Sequence, residues 1–283
     1  MIAIERLFAP EACVQGVVGV GSIATNTARE GSDIDALVFM HPIDEYIVPA
    51  ESIWCPWDDT FHSIFTQDTR IQREGIQLDV KLCDLKQWQH DDGVWTEGQR
   101  AGLTGAWIAF DRDGSVTKLI AERTAYDDAT RTAKLDEAVC ALEGLLLHGA
   151  PDSVWETLGP LVAFDRLNAA YDALVQLLFA LNRRWRPWRN REMSHLLRLP
   201  WLPKDFEMRA LTAMNALSNT REGFTARVIA IRAMFDDVLA ELQREGFYGA
   251  NPIDEAFMRS HNEPGRAWNM DEWNQKRKDP KGL

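Results

Sequence analysis

Residues 16–40 read GVVGVGSIATNTAREGSDIDALVFM. A β-branched run, Val14–Val20, stops at Gly21-Ser22, and after ten intervening residues Asp33-Ile34-Asp35 opens a second apolar run, Ile34–Met40. Short β-branched runs bounded by Gly, Ser and Asp are strand signals, so the stretch predicts strand, turn, connection and strand. Each polar member has a chemical use. Gly21 lets the backbone approach a ligand where a Cβ would clash. Ser22 brings a hydroxyl and an N–H at what the pattern reads as a helix start, where free donors and the helix dipole favour phosphate. Asp33 and Asp35 stand two apart on a strand, so both side chains leave the same face. Two such carboxylates repel each other unless a cation lies between them, and a divalent ion with oxygen ligands, Mg2+ above all, is the usual answer.

A third acid is expected from a neighbouring strand. Ile76–Leu82 alternates, and Asp79 faces away from its apolar side, with Asp84 and Glu74 as competitors. Three acids of this kind hold two metal ions about 4 Å apart in in-line phosphoryl transfer. Trp107–Phe110 reads as a further strand, followed by the turn Asp111-Arg112-Asp113-Gly114. Helices fit near Thr60–Arg73 and Leu85–Gly98. Strands interleaved with helices predict an α/β or α+β lobe, and of the two the fold expected here is α+β with a mixed sheet ahead of a helical bundle.

From about Asp127 the period changes. Leu135, Val139, Leu142 and Leu146 recur at helical spacing, as do Leu167, Tyr171, Leu174 and Leu178, then Val228, Ile231, Phe235, Val238 and Leu242. Gly149, Pro151, Pro187, Pro200 and Pro203 punctuate the runs. The expected division is a catalytic lobe over residues 1–126, a bundle of four to six helices over 127–247, and a polar tail over 248–283 carrying Trp268 and Trp273.

At 283 residues the chain is long enough for about two domains. Hydrophobic residues make up 46% and charged residues 26%, which excludes disordered and low-complexity classes. The 43 Asp and Glu exceed the 31 Lys and Arg by 12, a poor balance for non-specific nucleic-acid binding. The excess is uneven. Residues 1–126 hold 20 acids against 10 bases, and residues 127–283 hold 23 against 21. The acidity sits with the proposed metal site, which points to a cationic partner, metal ions first. Cys13, Cys55, Cys83 and Cys140 show no C-x-x-C spacing, and Glu5 and Arg6 come too early for a signal peptide's apolar core. Reduced thiols and a cytoplasmic protein are expected. Leu174–Leu181 is too short to span a bilayer. The histidines His41, His62, His90 and His148 lack metal-ligand spacing, and no Walker A loop, nucleophile elbow or dinucleotide fingerprint is present.

The order of apolar run, Gly21-Ser22, Asp33-x-Asp35, apolar run and a later strand Asp79 resembles the DNA polymerase β-type nucleotidyltransferase superfamily. With its helical second half the chain looks most like bacterial aminoglycoside or lincosamide nucleotidyltransferases and their relatives. The resemblance covers about residues 14–125, including the Asp111–Gly114 turn. It implies that Gly21 and Ser22 hold the β and γ phosphates and that Asp33 and Asp35 bind two Mg2+ ions. Asp79 would complete the metal site and help deprotonate an acceptor hydroxyl. The expected co-substrate is ATP or another nucleoside triphosphate. The expected acceptor is a small hydroxyl-bearing molecule, with an antibiotic as one possibility, and the expected state is monomer or homodimer. Family members often carry a second glycine soon after the Gly-Ser pair, where this chain has Thr25-Asn26-Thr27.

Asn182–Arg191 packs five arginines around Pro187. Arg189 and Arg191 are candidates to clamp the triphosphate bidentately. The competing reading is a solvated helix end. Trp185 and Trp188 offer stacking surfaces or core. Arg189-Asn190-x4-His195 also resembles the short motif of HEPN ribonucleases, with Arg on phosphate and His in acid–base cleavage. Glu97, Asp91 and Asp92 are possible acceptor-side acids. The rival functions are a nucleotidyltransferase acting on protein or tRNA in the manner of a toxin, a non-catalytic nucleotide-binding or antitoxin-like protein, and the ribonuclease.

Overall fold

The computed structural model describes residues 7–24, 31–90, 95–214 and 219–261. Two compact units divide between Ala125 and Tyr126.

Among the described residues the first unit is built on a mixed sheet of six strands: β1 (Val14–Gly19), β2 (Ile34–Met40), β3 (Glu51–Cys55), β4 (Thr60–His62), β5 (Ile76–Asp84) and β6 (Trp107–Asp111), in the order β4-β3-β5-β2-β1-β6. β2 and β5 pair in parallel, and every other neighbouring pair is antiparallel. Helices α1 (Gly21–Ala24), α2 (Thr69–Glu74), α3 (Leu85–His90), α4 (Glu97–Leu103) and α5 (Ser115–Thr124) complete it. The run ALVFM in β2 is apolar at every position because both faces of the sheet are covered. Val38 and Met40 pack with Val17, Leu78, Val80 and Trp54 on one face. Phe39 packs on the other with Val18, Cys83, Trp95, Leu103 and Val116. Phe39 is fully buried, which stabilises the fold by about 1.5–3 kcal/mol.

The Asp111–Gly114 turn starts α5. The Asp111 carboxylate accepts the Gly114 N–H at 3.1 Å, the Thr117 N–H at 2.8 Å and the Thr117 hydroxyl at 2.6 Å. Arg112 donates to the carbonyls of Val14, Ala9 and Glu11, which ties the chain before β1 to the end of β6.

Two local expectations are corrected. The helix expected over Thr60–Arg73 begins only at Thr69, where the Asp68 side chain caps it, and Thr60–His62 is instead a strand paired with β3. The helix expected over Leu85–Gly98 is two helices, and the second starts afresh at Glu97 with a Thr96/Gln99 capping box.

The second unit is helical: α6 (Asp128–Leu146), α7 (Ala150–Leu158), α8 (Pro160–Leu181), α9 (Arg189–Leu196), α10 (Phe206–Met214), α11 (Arg221–Arg244) and α12 (Pro252–His261). These are seven helices among the described residues, six of them within residues 127–247. The periodic leucines of α6, α8 and α11 form one core. Residues 252–261, expected within a polar tail, form α12. It packs on α6 through buried Ala256 and through Arg259, which grips the buried Asp136 carboxylate at 2.7 and 2.8 Å. The Tyr248 hydroxyl donates to the same carboxylate at 2.7 Å. Trp268 and Trp273 lie outside the described residues.

Candidate active site

Asp35 is the second residue of β2 and Asp79 the fourth of β5, and the parallel register sets them directly opposite each other. Neighbouring strands lie about 4.8 Å apart, so the two carboxylates leave one face side by side. That face also carries Phe39 and Cys83 and is covered by α3, α4 and α5 farther along the strands. Asp35 is half-buried and Asp79 exposed. Asp33, also half-buried, stands two residues before Asp35, just ahead of β2.

The turn after β1 is built over Asp35. The Val20 N–H donates to the Asp35 carbonyl at 2.9 Å. Gly21 has φ +64°, and a Cβ there would overlap Asp35 Oδ2 and stand 2.8 Å from its Cγ. Gly21 is therefore required both by its left-handed backbone and by the carboxylate against it. The turn brings Gly21 and Ser22 to the same end of the sheet as the acids. Thr25-Asn26-Thr27 lies outside the described residues.

The competitors of Asp79 are engaged elsewhere. Asp84 caps α3, accepting the N–H groups of Lys86 at 2.9 Å and Gln87 at 3.3 Å. The Gln87 N–H first, and Lys86 after it, hold its carboxyl below the usual range. Glu74 is paired with Arg70 and Arg73. Glu97 begins α4, and Asp91 and Asp92 lie outside the described residues. Sequence reasoning missed Glu51, which opposes Asp79 from β3 and extends the row to Asp35, Asp79 and Glu51 across three strands. Only the sheet register reveals it. Among the described residues no three His, Cys, Asp or Glu side chains come together closely enough to hold a metal ion. The donors present are nonetheless of the right kind for Mg2+, which takes carboxylate oxygens and leaves places for phosphate oxygens. Cys83, farther along the face, is no nucleophile at neutral pH, because burial pushes its thiol up to about 12.

Cations of the first unit are mostly committed. Arg70 and Arg73 pair with Glu74, Lys118 with Glu122, and Arg100, Arg112 and Arg123 with backbone carbonyls. Lys81 is different. It lies two residues beyond Asp79 on the same face, opposite Leu37, with its Nζ 5.7 Å from the centre of the Trp88 ring.

In the second unit the arginine cluster divides. Arg186 joins Asp172 to buried Glu192, and Arg189 binds Glu192 at 2.6 Å. Arg191 is exposed, and Trp188 is 55% exposed at the start of α9. Trp185 packs on Tyr126 with ring centres 4.7 Å apart. Arg189 and His195 are six residues apart on α9, about 240° around the helix axis. A cavity of about 830 Å3, between α6 and α12, is lined by residues such as Asp128, Glu137 and Cys140 and includes none of the candidate site residues.

Residues 3–94 match the family model described as the nucleotidyltransferase domain. The first unit carries a nucleotidyltransferase domain of the polymerase β-like superfamily. The matched span of the transferase domain contains Gly21-Ser22, Asp33, Asp35 and Asp79. No curated protein matches the chain. Among solved structures, a nucleotidyltransferase-like protein from Exiguobacterium sibiricum 255-15 aligns at 12% identity over 86% of this chain and 78% of that one, with a TM-score of 0.39. Among the described residues no helix is long and apolar enough to cross a membrane.

Proposed function

We propose that the chain transfers a nucleoside monophosphate, AMP from ATP in the first instance, to a hydroxyl of a small acceptor. Aminoglycoside- or lincosamide-like antibiotics are the first acceptors to try. The observation that carries this reading is the pairing of Asp35 with Asp79 on one sheet face, with Gly21 packed against Asp35, inside the span that matches the transferase domain.

Asp33, Asp35 and Asp79 would hold Mg2+. When bound, the ions offset phosphate charge and make the acceptor hydroxyl easier to ionise. Gly21 and Ser22 bring the backbone and a hydroxyl against the β and γ phosphates. Asp79, the more exposed carboxylate of the pair, takes the acceptor's proton. The acceptor oxygen then bonds to the α-phosphorus, the bond from that phosphorus to its bridging oxygen breaks, and pyrophosphate leaves.

The double substitution Asp33→Asn/Asp35→Asn is expected to reduce Mg-dependent pyrophosphate release to background. Wild-type turnover in that variant would sink the assignment. Label from α-labelled ATP appearing in protein or tRNA rather than in small molecules would move the acceptor to the toxin-type class.

A further inference from the structure

The acidic first unit has to receive a triphosphate, yet its described cations are nearly all spent. Arg70, Arg73 and Lys118 face carboxylates, and three further arginines face backbone carbonyls. Among the described residues Lys81 and Lys86 make no such pairing, and of these Lys81 alone shares the strand face of Asp35 and Asp79. We propose that Lys81 is a phosphate-binding residue of this site and that its ammonium donates to a non-bridging oxygen of the α-phosphate. This rests on the transfer reading above.

The reach is sufficient. Two residues along a strand cover about 6.6 Å, and the lysine stem is long and rotatable. The acceptor oxygen deprotonated by Asp79 attacks the α-phosphorus, so that phosphorus lies beside Asp79 and within the sweep of Lys81. The strand alternation that aims Asp79 at the ligand aims Lys81 the same way. Trp88 supplies the holding point. Its ring packs edge-on against buried Phe39 with centres 5.2 Å apart, so the indole is a fixed wall on the same face, farther along the strands than the carboxylate row. An exposed cation–π contact is weak enough to be exchanged for a charge-assisted bond to phosphate. Charge is the remaining argument. Asp35, Asp79 and Glu51 stand in one row, and a cation that draws the transferred group onto that row has to come from the same face.

The test uses the full chain with Mg2+ and two readouts. Calorimetry measures binding of α,β-methylene ATP, and pyrophosphate release from ATP measures turnover. Lys81→Met keeps the apolar stem against Trp88. It is expected to weaken analogue binding about tenfold and to lower kcat about 100-fold, as loss of one donor to a developing charge does elsewhere. Lys81→Arg is expected to restore most of both, and Lys86→Met to change neither. Values for Lys81→Met within twofold of wild type in both readouts would overturn the proposal and leave the transfer reading intact. A wild type that binds the analogue but transfers nothing, with binding still weakened in Lys81→Met, keeps Lys81 as a phosphate ligand and removes the transfer reading. A wild type that does not bind the analogue overturns both.

Discussion

Gly21 is the residue on which the site's geometry turns. Its φ of +64° costs any L side chain about 1–2 kcal/mol, and a Cβ would also overlap the Asp35 carboxylate. Gly21→Ala is therefore expected to lower unfolding stability by about 1–3 kcal/mol and to abolish analogue binding, because Asp35 has to move. Urea unfolding and calorimetry check the two parts, and unchanged binding would show that the turn tolerates a Cβ. The local pattern was legible in the sequence at this scale, since a glycine before a serine and acids two apart carry local signals. The neighbour relations were not. Asp79 opposes Asp35, and Glu51 opposes Asp79, only through pairings between residues at least 28 apart in the chain. No local pattern encodes such a register.

Elements were legible in proportion to their length and regularity. β1, β2, β5 and β6 fall where β-branched or alternating runs place them. β3 and β4 escaped notice because they are five and three residues long and separated by Pro56-Trp57-Asp58-Asp59. In the second unit α12 looked like polar tail because its anchorage is a buried charge rather than an apolar stripe. Asp136 is 2% exposed and is held by Arg259 and Tyr248. Arg259→Ala leaves that carboxylate buried with one partner. The expected loss is about 2–3 kcal/mol, below the full value for breaking a buried pair because Arg259 is partly solvated and Tyr248 remains. Urea unfolding measures it, and a loss under about 0.5 kcal/mol would mean the pair behaves as a surface bridge. Helix α9 offers a pH signature. Burial first, then Arg198 and Arg191, holds the His195 pKa below its ordinary value. A histidine harder to protonate when folded leaves stability intact above the unfolded pKa of about 6.5 and erodes it as pH falls from there through the folded value. His195→Gln is accordingly expected to flatten the fall in Tm below about pH 6.5, and parallel Tm–pH curves would contradict this.

For the whole molecule, the charge division and the two units tell one story. Composition alone places 20 acids against 10 bases in residues 1–126, and the structure gathers Asp35, Asp79 and Glu51 from that surplus into one row. A unit so acidic binds a triphosphate only with cations supplied, from metal ions and from lysine or arginine aimed at the phosphates. In the proposed nucleotidyl transfer by Asp33, Asp35 and Asp79, Asp79 is the acid given a chemical as well as an electrostatic role. The most direct measurement is transfer of label from α-labelled ATP to an acceptor by Asp79→Asn, run beside analogue binding by the same variant. Binding is expected to survive while transfer falls to background; transfer at the wild-type rate by Asp79→Asn would rule out a chemical role for that carboxylate and the proposed transfer with it.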